Sequence, residues 1–331
     1  MSYLLYVLGA AIIIVTLIDI IWTTLWVDGG AGWITDRLTT GIWRRILKSG
    51  KENLMNISGP LILTVTLFTW VFLLWFGATV FFAGDLGAIV HSSSSQSITW
   101  YQLPYYSGFV VFTLGIGDFT PQTTFFQITT ALFSGIGMLM LTFGASYILS
   151  IVSAVVEKRT LARNIMGIGE SSVDFLQTIW NGKNFNQLDD VLADLNSQIT
   201  QYTLQIQAFP LLQYYHSEDI EKATTVAIAV LYDSVLVLRY GIKTERLVNT
   251  TLVDATVKSI NNFIDTSSDG YGNLFEDYYK NPPELELPSL EQTRIPLNRQ
   301  EDYEKNMEEY EDKRHQLQKI IMIDHHDWPN Q

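Results

Sequence analysis

Three long apolar stretches dominate the first half of the chain. Tyr3 to Val27 is interrupted only by Asp19, and the run from about Pro60 to Phe82 holds no charge. A third runs from about Thr123 to Val156 and ends abruptly at Glu157-Lys158-Arg159. A helix crossing a bilayer needs about 20 apolar residues at 1.5 Å rise each, so each stretch predicts a span. Between the second and third lies a shorter apolar run, Tyr105 to Gly117. About 13 residues are too few to cross, and they predict a re-entrant half-helix whose end is buried among protein partners.

The second half has a different rhythm. Leu188, Val191, Leu192, Leu195, Ile199, Tyr202 and Ile206 recur at helical spacing and predict an amphipathic helix, which Pro210 ends. Ser217-Glu218-Asp219 predicts the cap of a second helix running through Tyr240. Its stretch Ala223 to Leu238 is apolar but short and carries Asp233, which predicts a buried core helix rather than a fourth span. A third helix is predicted over about Thr244 to Phe263, then a turn-rich break from Asp265 to Gly272. Asn281 to Asn298 holds four of the nine prolines and predicts an extended linker, and Glu301 to Ile321 a highly charged helix, solvated or docked on a neighbour.

Charge separates the halves further. Residues 1–156 carry five basic and six acidic side chains; residues 157–331 carry 16 and 28. An acidic soluble half excludes nucleic acid as a partner, because phosphate binding needs a basic surface. With no cysteine, disulfides, thiolate metal sites and cysteine nucleophiles are excluded. Lys and Arg also set the orientation. Arg37, Arg44, Arg45, Lys48 and Lys51 follow the first span, and Lys158, Arg159 and Arg163 follow the third, while residues 1–27 and 83–122 have none. The positive-inside rule then places 28–56 and 157–331 in the cytoplasm, with the N-terminus and 83–122 outside. The first span lacks the basic start of a cleaved signal peptide. Trp33, Ile34, Leu38, Ile42, Ile46 and Leu47, interleaved with Arg37, Arg44 and Arg45, predict an amphipathic helix in the cytoplasmic headgroup layer, in preference to a plain connector. Ser58-Gly59-Pro60 reads as a helix start. Asp19 inside a span costs about 2.5–3.5 kcal/mol unless paired or protonated, and a lock to Thr23, Arg37 or Arg44 is preferred over a proton- or voltage-sensitive role.

The candidate chemistry lies in Thr113-Leu114-Gly115-Ile116-Gly117-Asp118. An ion crossing lipid must exchange its water shell for other oxygens, and backbone carbonyls supply these without net charge. Aiming successive carbonyls at one axis requires alternating right- and left-handed backbone, which is cheap only at glycine. Gly115 and Gly117 meet that demand. The carbonyls of Thr113, Leu114, Gly115 and Ile116 then form stacked rings, with the Thr113 hydroxyl innermost. One chain cannot make a ring, so several copies are needed. The C-terminal end of the half-helix carries a negative dipole that favours cations.

At these residues the sequence resembles the potassium-channel pore module, whose signature is Thr-Val-Gly-Tyr-Gly-Asp. The resemblance covers roughly residues 57–156 in the order span, re-entrant helix, filter, span. It implies a homotetramer in the lipid bilayer with K+ as the permeant ion at Thr113, Leu114, Gly115 and Ile116. It also implies Tyr105 and Tyr106 as an aromatic pair bracing the filter, with Asp118 in support, and Gly137 as a gating hinge in the inner helix. Two positions depart from the family pattern. Ile116 replaces the usual Tyr and has no hydroxyl to tie the filter to its surround, although relatives with Phe or Leu there resemble potassium channels in selectivity. Phe109 stands where some members hold a carboxylic acid behind the filter, so no such acid reaches Asp118.

The expected fold is thus an all-α membrane protein. It comprises an N-terminal span (1–27), an interfacial segment (28–56), a pore module (57–156, filter 113–118), a helical cytoplasmic domain (157–280) and an acidic linker with a C-terminal helix (281–331). Inner helices over 123–156 gate the cavity, and the cytoplasmic domain, with an unknown ligand, is a candidate to pull them. The alternatives are a non-selective or sodium-conducting channel, resting on Ile116, and a non-conducting receptor or scaffold of the same fold. No nucleophile–base pair or phosphate loop supports an enzyme, and no cofactor is expected. Gly135, Gly137 and Gly144 also suit close helix packing, Gly77 and Gly84 packing and a loop. Thr129 and Thr130 are candidates to face the cavity. Gly167-Ile168-Gly169 lacks the third glycine and preceding strand of a dinucleotide site. Asp324-His325-His326-Asp327 is a candidate divalent-metal motif, but a solvated tail is preferred because no second-shell partner is in view.

Overall fold

The computed structural model describes residues 2–27, 29–185, 187–243, 248–271, 280–284, 287, 290 and 295–329. The chain forms two compact units. One is Met1–Ser49 with Pro60–Ile151, the other Gly50–Gly59 with Val152–Gln331.

The first unit is built from helices α1 (Ser2–Leu25), α2 (Trp33–Ser49), α4 (Ser58–Phe82), α5 (Leu103–Val111) and most of α6 (Thr124–Met166). Helix α3 (Glu52–Asn56) lies in the stretch that belongs to the second unit. The membrane-length helices lack one wet face. Phe68, Phe72 and Phe76 on α4, and Phe125, Leu132 and Met138 on α6, are exposed large apolar side chains. Helices α1 and α4 approach closely at two glycines: a Cβ on Gly9 would meet Phe81 N at 2.5 Å and Gly77 O at 2.7 Å. Small residues at such a crossing let backbones pack in lipid without a hydrophobic drive. Gly84 accommodates the Tyr6 ring in the same way.

Asp19 is buried in α1 and, among the described residues, has no basic partner. Oδ1 accepts from the Ile34 and Thr35 amides at 2.8 and 3.3 Å. Oδ2 accepts from Thr35 Oγ1 at 2.6 Å and Trp70 Nε1 at 2.9 Å. The expected lock to Thr23, Arg37 or Arg44 is corrected. Asp19 caps the amino end of α2, where free amides and the helix dipole favour a carboxylate. Thr23 Oγ1 instead accepts from Gly32 N at 2.8 Å. This anchoring turns Thr35, Thr39, Trp43 and Ile46 of α2 into the protein; of the apolar stripe read from the sequence only Ile46 is buried there. Trp33 is 65% exposed, with Arg37 stacked over its ring at 4.1 Å.

The second unit is helical: α7 (Ser172–Ile179), α8 (Leu188–Ala208), α9 (Thr224–Leu236), α10 (Thr250–Tyr271), α11 (Gln300–Met307) and α12 (Glu311–Ile323). Helix α8 buries the expected stripe except Val191, and its Tyr202 stacks on Phe263 of α10 at 5.5 Å. Every residue of α9 is buried. Its Asp233 receives Arg314 Nε and Nη2 at 3.0 and 3.2 Å and Trp328 Nε1 at 3.0 Å. Among the described residues four helices are long and apolar enough to cross a membrane. The fourth, Thr224–Gly241, is 89% buried inside the protein, against 28–39% for the other three.

Several element boundaries differ from expectation. Asp219 caps only a short turn, Ile220–Lys222, before α9 begins, and α9 continues into a π-helical turn over Val237–Gly241. The expected break from Asp265 is absent: α10 runs to Tyr271 because Ser267 and Tyr271 are buried on its inner face. Thr244 to Leu247 of the expected third helix, and Gly272, lie outside the described residues. The charged C-terminal helix is divided at Glu308–Tyr310, and its second half docks through Arg314, Leu317 and Gln318. The described end of the proline-rich segment is paired: Lys243 N donates to Pro296 O at 2.8 Å and Asn298 N to Gly241 O at 2.7 Å.

Candidate functional site

Helix α5 is nine residues long, with proline in its first turn, and most of it is buried. Trp75 Nε1 of α4 donates to Pro104 O at 2.8 Å, and the Thr79 and Ser107 hydroxyls share a hydrogen bond at 2.5 Å. Tyr106, 1% exposed, bonds through its hydroxyl to Thr130 Oγ1 of α6 at 2.7 Å. The short helix is therefore pinned between the two long ones by polar contacts as well as packing. Sequence reading missed Trp75, Thr79 and Ser107; their only signal was that polar groups in apolar helices must find partners.

Beyond α5, Leu114 N donates to Phe109 O at 2.9 Å, which closes the helix end. The chain then alternates. Thr113, Gly115 and Gly117 have φ of +56°, +62° and +80°, while Leu114 and Ile116 between them keep negative φ. The glycines behave as expected. Thr113 adds a third left-handed position at a β-branched residue, an unfavourable conformation of the kind that clusters at functional sites. Leu114 and Ile116 are exposed, and a Cβ on Gly115 or Gly117 would meet nothing within 4 Å. Among the described residues, no hydrogen bond reaches the carbonyl oxygens of Thr113 to Gly117.

The loop ends are tied. Tyr105 Oη donates to Asp118 Oδ2 at 2.8 Å, and Asp118 O accepts from Ser92 N at 2.8 Å. Strands β1 (Ile89–His91) and β2 (Phe119–Pro121) pair antiparallel, with Val90 opposite Thr120. Phe109 packs edge-on to Tyr105 and Tyr106, at 5.7 and 5.1 Å between ring centres. The Tyr105 hydroxyl thus supplies Asp118 with a partner where Phe109 has no acid to offer.

Gly137 of α6 faces the end of α5. A Cβ there would collide with Val111 O, so the glycine permits a close backbone crossing. Gly135 has open space. Thr130 is taken by Tyr106, and Thr129 bonds its own helix at Phe125 O, 2.7 Å.

In the second unit the segment Tyr214 to Ser217 is a hub. Ser58 Oγ donates to Tyr214 O at 2.6 Å, and buried Lys158 Nζ donates to Tyr215 O at 2.9 Å. The Tyr215 ring lies where a Cβ on Gly59 would clash. One segment therefore holds the start of α4 and the late turns of α6. The expected solvated tail at Asp324 to Asp327 is corrected: Asp324 is 3% exposed and bonds His216 Nδ1 at 3.2 Å. Burial pushes the Asp324 carboxyl up, but the His216 hydrogen bond and the Lys158 charge hold it below the usual carboxylate range. Burial lowers His326. Gly169 packs against the Phe175 amide, which leaves no room for a Cβ and accounts for that glycine without a nucleotide.

Long helices with exposed apolar faces define this molecule as an all-α membrane protein. Over 325 aligned residues it is 31% identical to the uncharacterized membrane protein YdjJ of Bacillus subtilis (strain 168), spanning 98% of this chain and 94% of that protein. The chain belongs to the family of that membrane protein. No family model and no solved structure matches it.

Proposed function

We propose that the protein is a homotetrameric cation channel, selective for potassium, conducting through the carbonyls of Thr113, Leu114, Gly115 and Ile116. The observation that carries this reading is the alternating backbone at Thr113, Gly115 and Gly117, next to carbonyls with no hydrogen-bond partner. Backbone oxygens in membrane proteins are normally satisfied internally. Unpartnered ones at the end of a re-entrant helix line an ion path in this account. Four copies around one axis give each ring its oxygens, and conduction follows from weak binding at several adjacent sites. The exposed apolar side chains of α6 suit both a neighbouring subunit and lipid.

In this reading α1, α4 and α6 span the membrane, α5 re-enters it, and Thr224–Gly241 belongs to the cytoplasmic core. The N-terminus lies outside and residues 157–331 lie in the cytoplasm, as the Lys and Arg distribution supports. The hub at Tyr214 to Ser217 gives the cytoplasmic helices a hold on α4 and α6, and so a route by which a cytoplasmic ligand biases the gate.

The test is potassium flux through purified protein in liposomes, with Gly115→Ala as control. Flux in the parent that is lost in G115A is expected, because a side chain at φ +62° costs about 1–2 kcal/mol in every subunit. Absence of flux under all conditions supports the scaffold reading instead. Ile116 has no hydroxyl to brace the filter, which favours one rival, a non-selective pore. A bi-ionic reversal potential showing equal sodium and potassium permeability would establish that rival.

A further inference from the structure

His216, Asp324 and His326 come from segments more than a hundred residues apart, yet one donor atom from each lies within 4.8 Å of the others. His216 and Asp324 are buried, and the two imidazole rings stack at 5.1 Å. Each member except His216 has a second partner that orients it. His326 Nε2 lies 2.8 Å from Ser217 O, and a carbonyl can only accept. The proton therefore sits on Nε2, and Nδ1 carries the lone pair. Thr225 Oγ1 donates to Asp324 Oδ2 at 3.0 Å, which leaves Oδ1 for another partner. Such outer contacts are what fix the ligands of a metal site.

We propose that His216, Asp324 and His326 form a zinc-class divalent metal site. Two imidazoles and one carboxylate suit Zn2+ and its transition-metal neighbours. The His216 Nδ1 to Asp324 Oδ1 separation of 3.2 Å is close to the edge, about 3.4 Å, of a tetrahedron with arms of about 2.1 Å. A metal can thus sit between these two groups with little movement of either, and His326 closes in as the third ligand. Selection then rests on nitrogen donors, and Ca2+ and Mg2+, which need several oxygens, are poorly held. The metal pins the segment after α12 to the hub at Tyr214 to Ser217. The site is independent of whatever the pore carries.

The experiment uses the full chain in detergent, stripped with a chelator and titrated with Co2+, read by visible absorption and calorimetry. One ion per chain is expected, with the intense bands of a tetrahedral centre, displaced by Zn2+ and not by millimolar Ca2+ or Mg2+. His326→Gln and Asp324→Asn each weaken binding more than ten-fold, and Zn2+ raises the melting temperature of the parent but not of H326Q. His325→Gln and His315→Gln leave binding unchanged. H326Q, at a half-buried position, provides the folded variant if substitutions at His216 or Asp324 unfold the domain. No stoichiometric binding, binding that survives H326Q, or binding lost with H325Q would overturn the proposal.

Discussion

The Tyr105 hydroxyl donates to the Asp118 carboxylate at 2.8 Å across thirteen residues of chain. It ties the first half of α5 to the far end of the alternating segment and closes that segment into a braced loop. Tyr105→Phe keeps the ring and its packing on Phe109 but removes the donor. For the proposed channel we expect steady-state potassium flux to fall several-fold with no loss of assembly, and Asp118→Asn to cause a weaker loss. Equal flux in Tyr105→Phe and parent liposomes would show that the brace has no part in conduction.

Gly137 separates two accounts of α6. With Val111 O where a Cβ would stand, Gly137→Ala forces two backbones apart. Overpacking of this kind costs about 1–3 kcal/mol, so a clear fall in thermal stability in detergent is expected. Unchanged stability with altered flux would instead favour the hinge role.

Asp19 accepts four hydrogen bonds from the start of α2 and from Trp70. Asp19→Asn turns one acceptor into a donor facing donors. Leaving such buried groups unmatched costs about 1–3 kcal/mol, and Trp70→Phe costs less because it removes a single donor. Thermal denaturation of the two variants checks the order. A more stable Asp19→Asn protein would contradict this role.

The Asp233–Arg314 pair is buried on both sides. Removing one partner strands a charge, so Arg314→Met should destabilise the chain by about 3–5 kcal/mol. The double variant Asp233→Leu/Arg314→Met should recover much of that loss. Equal stability of R314M and parent, by denaturant melt, would remove the pair from the account of the core.

Hydropathy made the long helices and the short α5 legible, because length against bilayer thickness is a one-dimensional property. The end of α6 was not, since Glu157-Lys158-Arg159 halts an apolar run without halting a helix that continues to Met166. In α2 the protein-facing side could not be read from the chain, because Thr35 is turned inward by Asp19, a contact between segments. Ser267 and Tyr271 show burial overriding local turn preference in α10. Glycine spacing revealed the alternating segment, whereas the left-handed Thr113 and the Tyr105–Asp118 bond depend on how the loop closes. The tail at Asp324 looked solvated because its partners, His216 and Thr225, lie far away in sequence.

The most direct measurement is a reconstruction of the full-length protein at high potassium concentration. The account predicts fourfold rotational symmetry, with discrete density on the axis between the carbonyls of Thr113, Leu114, Gly115 and Ile116. A monomer, or an oligomer whose carbonyls at these residues share no axis, would contradict it.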